Sequence, residues 1–410
     1  MSPIAINDRR ITDRRITDRL IVCIASDWGV DPTSKHHVMR ELSRHNDVVW
    51  VNYHGSRRPV LTTTDARGAW SALRRVFAGA GFVGDRMVQT TPLVIPGATN
   101  PVQIGWNRRI IARAVARARR HFNRHHRGVQ LWTFAPDVDY LPGAFGEECV
   151  VYYCVDEFSQ FAGYDTERTL AAEGRLMAAA DIVLTSSADL YTTRARRHGH
   201  VHLVRHGVDY AHFRSAVDRA LPVPDPIASI RGPVVGFVGL VEHWIDVRLI
   251  AQVARHLCDV AFVIVGACRA DVTALRSLDN VHLVGRQPYA SLPAYLSRFD
   301  VGIIPFQLTT MTRNVNPIKL REYLAAGLPV VSTNLPEVRR MTPHVTIAST
   351  PDAFAQAIRR CIGNNRVAAR LARSLAVTDQ DWSRVTAQVS QLVRDRIDHR
   401  RTHTTAPAPF

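Results

Sequence analysis

The stretch N-V-N-P-I-K-L-R-E-Y-L-A-A-G-L-P-V-V-S-T, from Asn314 to Thr333, decides the fold. Pro317 suits the start of a helix, where its fixed φ is already helical and its missing N–H has no partner to lose. Gly327 and Pro329 stop that helix and hand the chain to an apolar strand, Val330 to Thr333. A helix over Lys319 to Ala326 that turns straight into a strand is one unit of a doubly wound α/β sheet. Lys319 and Glu322 lie three apart in its first turn, so they point the same way. A helix N-terminus with a lysine favours a diphosphate, and a carboxylate one turn on can accept hydrogen bonds from a ribose diol. Taken alone, the two residues read first as an exposed Lys/Glu pair on an ordinary helix.

The same alternation extends outward in both directions. In the second half, strands are predicted at Val234 to Val238, Ala261 to Val265, Val281 to Val284 and Val301 to Pro305, with helices at Val247 to His256 and Leu292 to Ser297. In the first half, strands fall at Leu20 to Ala25, Val48 to Asn52, Val129 to Phe134, Val150 to Val155 and Ile182 to Ser186. Helices fall between them, at Ser34 to Arg44, from Gly105 to about Arg127, and at Glu167 to Ala180. The Pro-rich stretch after Phe213 is the best boundary. We therefore expect a mobile tail over 1–19, a Rossmann-like domain over 20–213 and a second Rossmann-like domain over 214–380. A C-terminal helix over 381–400 would pack back on the N-terminal domain, leaving a tail over 401–410.

Three motifs carry a family resemblance. They are the Asn314 to Thr333 stretch, V-G-F-V-G from Val235 to Gly239, and R-H-G-V-D-Y-A-H-F from Arg205 to Phe213. Together they resemble the GT-B glycosyltransferases of group 1, family 4-like, in order and at suitable distances. The resemblance implies an α/β GT-B fold, two Rossmann-like doubly wound domains facing a central cleft. It also implies a nucleotide-diphosphate sugar as donor substrate, with no cofactor and no metal. Gly239, Asn314, Lys319 and Glu322 then become donor-binding residues, and Arg286 and Gln287 join them by position after a strand. Asn314 stands where many retaining members have the first Glu of E-x7-E, and L-V-E-H-W-I-D follows Gly239 where a basic pair is common.

In the first half, Y-Y-C-V-D-E ends a strand with Asp156 and Glu157. It resembles the strand-end aspartate of bacterial exopolysaccharide glucuronosyltransferases, which implies that Asp156 is the base of an inverting transfer, with Glu157 and His206 as acceptor or cleft residues. An inverting transfer needs one carboxylate to take the acceptor hydroxyl proton. A helix N-cap with a second acidic neighbour is the competing reading. Three further patterns are set aside. G-A-G-F-V-G at Gly79 to Gly84 follows helix-like W-S-A-L-R-R-V-F-A and has no acidic residue some 20 positions on, so it is no dinucleotide loop. Asp137 and Asp139 form a D-x-D that reads as a solvated loop. His198, His200, His202 and His206 lack the partners of a zinc set.

Composition bounds the rest. The chain has 410 residues, 46% hydrophobic and 21% charged, enough for two globular domains. No apolar run exceeds strand length, the N-terminus lacks a signal-like core, and the six cysteines form no C-x-x-C, so a cytoplasmic chain without disulfides is expected. The net charge is +16, and Lys35 and Lys319 are its only lysines. The helix after Gly105 carries Arg108, Arg109, Arg113, Arg117, Arg120 and Arg124 beside an apolar stripe that includes Trp106. A solvated face, nucleic acid and anionic lipid all suit it. Anionic lipid is taken first, which places the enzyme on the inner face of the plasma membrane with a lipid-linked or saccharide acceptor in envelope or exopolysaccharide synthesis. No nucleic-acid partner is expected. The alternatives are a retaining GT-B transferase with another acceptor and a basic nucleic-acid-binding protein on a degenerate α/β scaffold.

Overall fold

Fourteen strands, rich in Val, Ile and aromatic residues, form two sheets in a computed structural model that describes residues 15–56, 79–161 and 163–404. The strands of the first are β1 (Arg19–Ala25), β2 (Asp47–Asn52), β3 (Gly81–Gly84), β4 (Met87–Thr90), β5 (Gly128–Thr133), β6 (Cys149–Cys154), β7 (Ile182–Thr185) and β8 (Val201–Leu203). The second holds β9 (Val234–Val238), β10 (Ala261–Val265), β11 (Val281–Gly285), β12 (Val301–Ile304), β13 (Val330–Ser332) and β14 (Val345–Ile347). The chain divides into two compact units, one of Met1–Arg205 with Ser383–Phe410 and one of His206–Trp382.

In the first unit the strand order is β3-β4-β2-β1-β5-β6-β7-β8, parallel except for the β3/β4 pair. Strands leave β1 in one direction through β2 and in the other through β5, so the sheet switches direction between β1 and β5. In the second unit the order is β11-β10-β9-β12-β13-β14, all parallel, and the switch lies between β9 and β12. Sheets of this kind take ligands in the crevice outside the carboxyl ends of the strands at such a point. Both faces of the central strands are buried, as in β1, β2, β6, β9 and β10, which explains their continuous apolar runs.

Several expectations change. Gly81–Gly84 is an edge strand antiparallel to β4, while the W-S-A-L-R-R-V-F-A stretch at 70–78 lies outside the described residues. The expected N-terminal tail lies outside them up to residue 14, but Ile16 is buried, its carbonyl accepts from Asn46 Nδ2 at 2.9 Å, and Arg19 opens β1. The units part between Arg205 and His206 rather than after Phe213, because Val208 N–H donates to Gln380 and Trp382 N–H to Val208 within the second unit. The last helix, Trp382–Thr404, runs past 400, and in the first unit Arg396 donates to the Asp181 carbonyl at 3.0 Å and Arg401 to Glu148 at 2.8 Å.

Candidate active site

In the second unit, Gly239 follows β9 at the switch point with φ +144°, a conformation that side chains rarely adopt. A Cβ there would lie 1.9 Å from Lys319 Cε, so the lysine stem rests directly on the bare backbone. Gly266, after β10, is equally constrained, since its Cβ would lie 1.9 Å from the Gly239 carbonyl oxygen. Lys319 stands in the first turn of the Ile318–Ala325 helix, whose N-cap is Pro317 and which has no side-chain cap. Leu320 N–H turns back to the Pro317 carbonyl at 3.2 Å, and no side chain caps the Ile318 and Lys319 N–H groups, which suits them to meet an anion.

Glu322 is buried one turn on. Burial raises its carboxyl above the usual range, Lys319 opposes this, and Asp209 of the G-V-D signature adds to it. Asp209 itself caps the Tyr210–Arg214 helix, accepting from His212 N–H at 3.3 Å. Two further residues fix the site and were missed from sequence. Tyr323 Oη accepts from Val238 N–H at 2.8 Å, pinning the end of β9 to the helix. Arg321, buried, donates to Asn316 Oδ1 at 2.6 Å and to Gln380 at 2.8 Å, fixing the loop before the helix. Both side chains sit beside residues chosen for charge, with nothing in local spacing to mark them.

The other expected donor residues are less well placed. Asn314 ends the Thr310–Arg313 helix, and its amide donates back to the Thr310 carbonyl at 2.8 Å, a local use. Arg286 and Gln287 follow β11, the edge strand, two strand spacings or about 9.5 Å from the strand that leads to Gly239. His206 is buried, its Nδ1 has no hydrogen-bond partner, and burial, with Arg321 adding to it, pushes its pKa down to about 3. It is a neutral side chain packed near Trp382, 6.2 Å between centroids, and it does not act as a charge.

In the first unit the two adjacent carboxylates separate. Asp156 follows β6, and burial pushes its pKa up to about 7, with Lys35 opposing and Glu157 adding to the rise. It caps no helix: the next α-helix, Thr166–Ala179, is capped by Asp165, which accepts from Arg168 N–H at 3.1 Å. Glu157, expected on the acceptor side, is instead committed to Arg194, whose guanidinium donates to both of its oxygens at 2.6 and 3.2 Å. Burial raises the Glu157 carboxyl, but Arg194 and Ser159 outweigh it and hold it below the usual range. Arg194 also donates to Glu173 at 2.9 and 3.0 Å, and Tyr152 Oη donates to Glu173 at 2.7 Å. A pair pushed apart in this way is how neighbouring carboxylates come to hold different roles. Here burial lifts the Asp156 carboxyl toward neutrality, while Glu157 is engaged by Arg194.

The set-aside patterns resolve as follows. Asp137 is no solvated loop residue: it accepts from Ser56 Oγ at 2.8 Å, and burial raises its pKa. Asp139 accepts from Arg175 at 2.6 Å. Among the described residues no group of three or more His, Cys, Asp or Glu is placed to hold a metal ion. The arginine helix spans Pro101–Arg119, shorter than expected, and buries Asn107, Ile111, Val115 and Ala118. Trp106, expected in the core stripe, is 51% exposed, as is Val102 at 81%. Arg109, Arg113, Arg117, Arg120 and Arg124 are exposed, whereas Arg108 turns inward to donate to the Tyr140 and Pro142 carbonyls.

Comparisons with known proteins bear on the fold and the family. Residues 232–364 match the family described as glycosyl transferases group 1. The putative teichuronic acid biosynthesis glycosyltransferase TuaH of Bacillus subtilis (strain 168) is 30% identical over 286 residues, 63% of this chain and 70% of that protein. Sucrose-phosphate synthase from Thermosynechococcus elongatus superposes with a TM-score of 0.66 at 14% identity, over 95% of this chain and 100% of that one. An α,α-trehalose-phosphate synthase (UDP-forming) from Burkholderia vietnamiensis gives 0.65 at 14% identity, over 93% and 100%. The chain belongs to the group 1 glycosyltransferases, with the GT-B fold of two Rossmann-like units, and is a nucleotide-sugar-dependent enzyme.

Proposed function

We propose that the second unit binds the nucleotide-diphosphate sugar and that Asp156 of the first unit is the base of an inverting transfer to a saccharide or lipid-linked acceptor. The observation that carries the donor assignment is the Lys319 side chain lying on the Gly239 backbone at an uncapped helix N-terminus. Diphosphate oxygens would take the helix N–H groups and the ammonium, while Glu322 accepts hydrogen bonds from the ribose hydroxyls. Asp156 removes the acceptor hydroxyl proton, the freed oxygen attacks the anomeric carbon from the face opposite the diphosphate, and the bond to the diphosphate breaks with its electron pair. Lys319 stabilises the negative charge that leaves.

The printed function of the Bacillus relative, teichuronic acid biosynthesis, supports an acceptor in envelope or exopolysaccharide synthesis. The exposed arginines, with Val102 and Trp106 at the start of the same helix, support peripheral docking on anionic lipid at the cytoplasmic face of the plasma membrane. Among the described residues no helix is long and apolar enough to cross a membrane. A thermal-shift series with UDP, GDP, ADP and their sugars tests the donor assignment: one nucleotide family should raise the melting temperature of the wild type. NMR of the product anomer against the donor tests inversion, and a retained configuration would turn the reading to a retaining transferase.

A further inference from the structure

The second sheet is all parallel, so the carboxyl ends of its strands, where Gly239 lies, and their amino ends form opposite edges. The Ile318–Ala325 helix runs from one edge to the other. Its first turn carries Lys319, its far end passes through Gly327 into β13, and its 8 residues put about 12 Å between the two. That far end is closed by side chains of the Val367–Leu375 helix. Ser374 Oγ donates to the Ala325 carbonyl at 2.7 Å, Arg370 to the Ala326 carbonyl at 3.3 Å and Arg373 Nε to the Gly327 carbonyl at 2.9 Å. Cations there suit the negative end of the helix dipole.

Beside this end lies a cavity of about 430 Å³, within the roughly 300 to 1,000 Å³ of small-molecule sites. It opens at the amino ends of β13 and β14, against the Pro351–Gly363 and Val367–Leu375 helices. Its polar lining is His344, Thr346, Arg360, Asn364 and Arg373, with Cys361 among them, and no Asp or Glu is part of it. Arg360 is exposed. Arg373 is half-buried and held in place, since besides the Gly327 carbonyl it donates to Asn365 Oδ1 at 2.6 Å. Burial lowers its pKa and only Cys361 opposes this, so no carboxylate offsets its charge. Arg194 and Arg86, also withdrawn from solvent, each hold a carboxylate. The carboxyl end of the Pro351–Gly363 helix approaches the same cavity and by itself would repel an anion. Asn364 N–H, however, takes up the Arg360 and Cys361 carbonyls at 3.2 and 3.3 Å.

We propose that this cavity binds a small ligand carrying a phosphate group, with Arg360 and Arg373 on its oxygens and His344, Thr346 and Asn364 donating further hydrogen bonds. A phosphate group carries close to two negative charges near neutrality, which two guanidiniums balance, and the planar fork of arginine matches its oxygens. The site lies at the opposite edge of the sheet from Gly239 and Lys319, and it stands whether or not the donor and base assignments hold. Its occupancy would be felt at the helix that carries Lys319, because the guanidinium that lines the cavity also closes that helix at Gly327.

The test uses full-length protein and two probes, inorganic phosphate and glycerol phosphate, each compared with sodium chloride at matched ionic strength. Cys361 lines the cavity and the exposed Cys258 serves as internal reference. Iodoacetamide labelling read by peptide mass spectrometry should show Cys361 slowed as a probe saturates and Cys258 unchanged. Phosphate held at the Lys319 edge protects neither thiol, so the readout is specific to this cavity. Stronger protection by glycerol phosphate assigns the site to phosphate esters, and equal protection assigns it to the free ion; both support the proposal. The half-protecting concentration should rise about tenfold or more in Arg360→Glu, the scale of one lost charge-assisted contact, and Arg360→Lys should recover part of the loss. Arg360 is exposed, so these variants keep the fold. Unprotected Cys361 at saturating phosphate, equal protection by chloride, or an unmoved half-protecting concentration in Arg360→Glu overturns the proposal.

Discussion

At the carboxyl edge of the second sheet the chain has removed side chains. Gly239 and Gly266 leave backbone bare, and Lys319 lies against it. At the same edge of the first sheet it has gathered titratable groups, with Asp156 raised in pKa toward neutrality and Glu157 next to it. The architecture is shared, and under the proposed function the difference lies in what each edge would do. A polyanion is held by close backbone approach and a fixed positive charge, whereas a proton is moved by a carboxylate whose acidity is set by what surrounds it. Within the first unit the contrast repeats between neighbours, since Glu157 is taken by Arg194 and Asp156 is not.

The largest effect should come from Asp156→Asn, which keeps size and hydrogen bonding but cannot accept a proton. Turnover should fall by roughly two to four orders of magnitude with donor affinity unchanged, measured by steady-state transfer and calorimetry. The wild-type rate should fall as pH drops below about 7, where Asp156 becomes protonated. Because the folded carboxyl holds its proton more tightly than the unfolded one, its stabilising effect is present below the ordinary carboxylate range and is lost as pH rises through about 7. Asp156→Asn should therefore melt higher than wild type at pH 8 and show little gain at pH 4.

One position along, the outcome should invert. Arg194→Met leaves Glu157 and Glu173 without their shared cation in a buried setting, and a chemical denaturation series should show a loss of about 3 to 5 kcal/mol. A variant that lost turnover and kept its stability would collapse the distinction between the two carboxylates. At the second edge, Gly239→Ala meets the Lys319 stem, so nucleotide affinity should drop alongside a stability loss of about 1 to 3 kcal/mol. The smallest effect is at the arginine helix. Arg113→Gln with Arg117→Gln should weaken binding to vesicles rich in phosphatidylserine by about 1 kcal/mol per residue, and added salt should mimic it. Equal binding to neutral vesicles would remove the lipid reading.

Most of the strands were legible because buried parallel strands write themselves as short apolar runs between helical periods, as at Ala261–Val265 and Cys149–Cys154, whereas their order in the sheets was not. Lys319 and Glu322 were legible because one helical turn fixes their relation. What was not legible depends on distance along the chain. Glu157 and Arg194 are 37 residues apart, and no local spacing announces their ion pair. Asp209 acts on Glu322 across more than a hundred positions. Trp106 misled for a different reason: its helical phase lies next to the buried Asn107, one position off the face that packs on the sheet.

The most direct test of the donor site is calorimetric titration of the nucleoside diphosphate selected by thermal shift into wild type, Lys319→Ala and Glu322→Ala. Each substitution should weaken binding by about 1.5 to 3 kcal/mol, the worth of one charge-assisted contact, while circular dichroism and melting show an intact fold. Wild-type affinity in both variants would contradict the account.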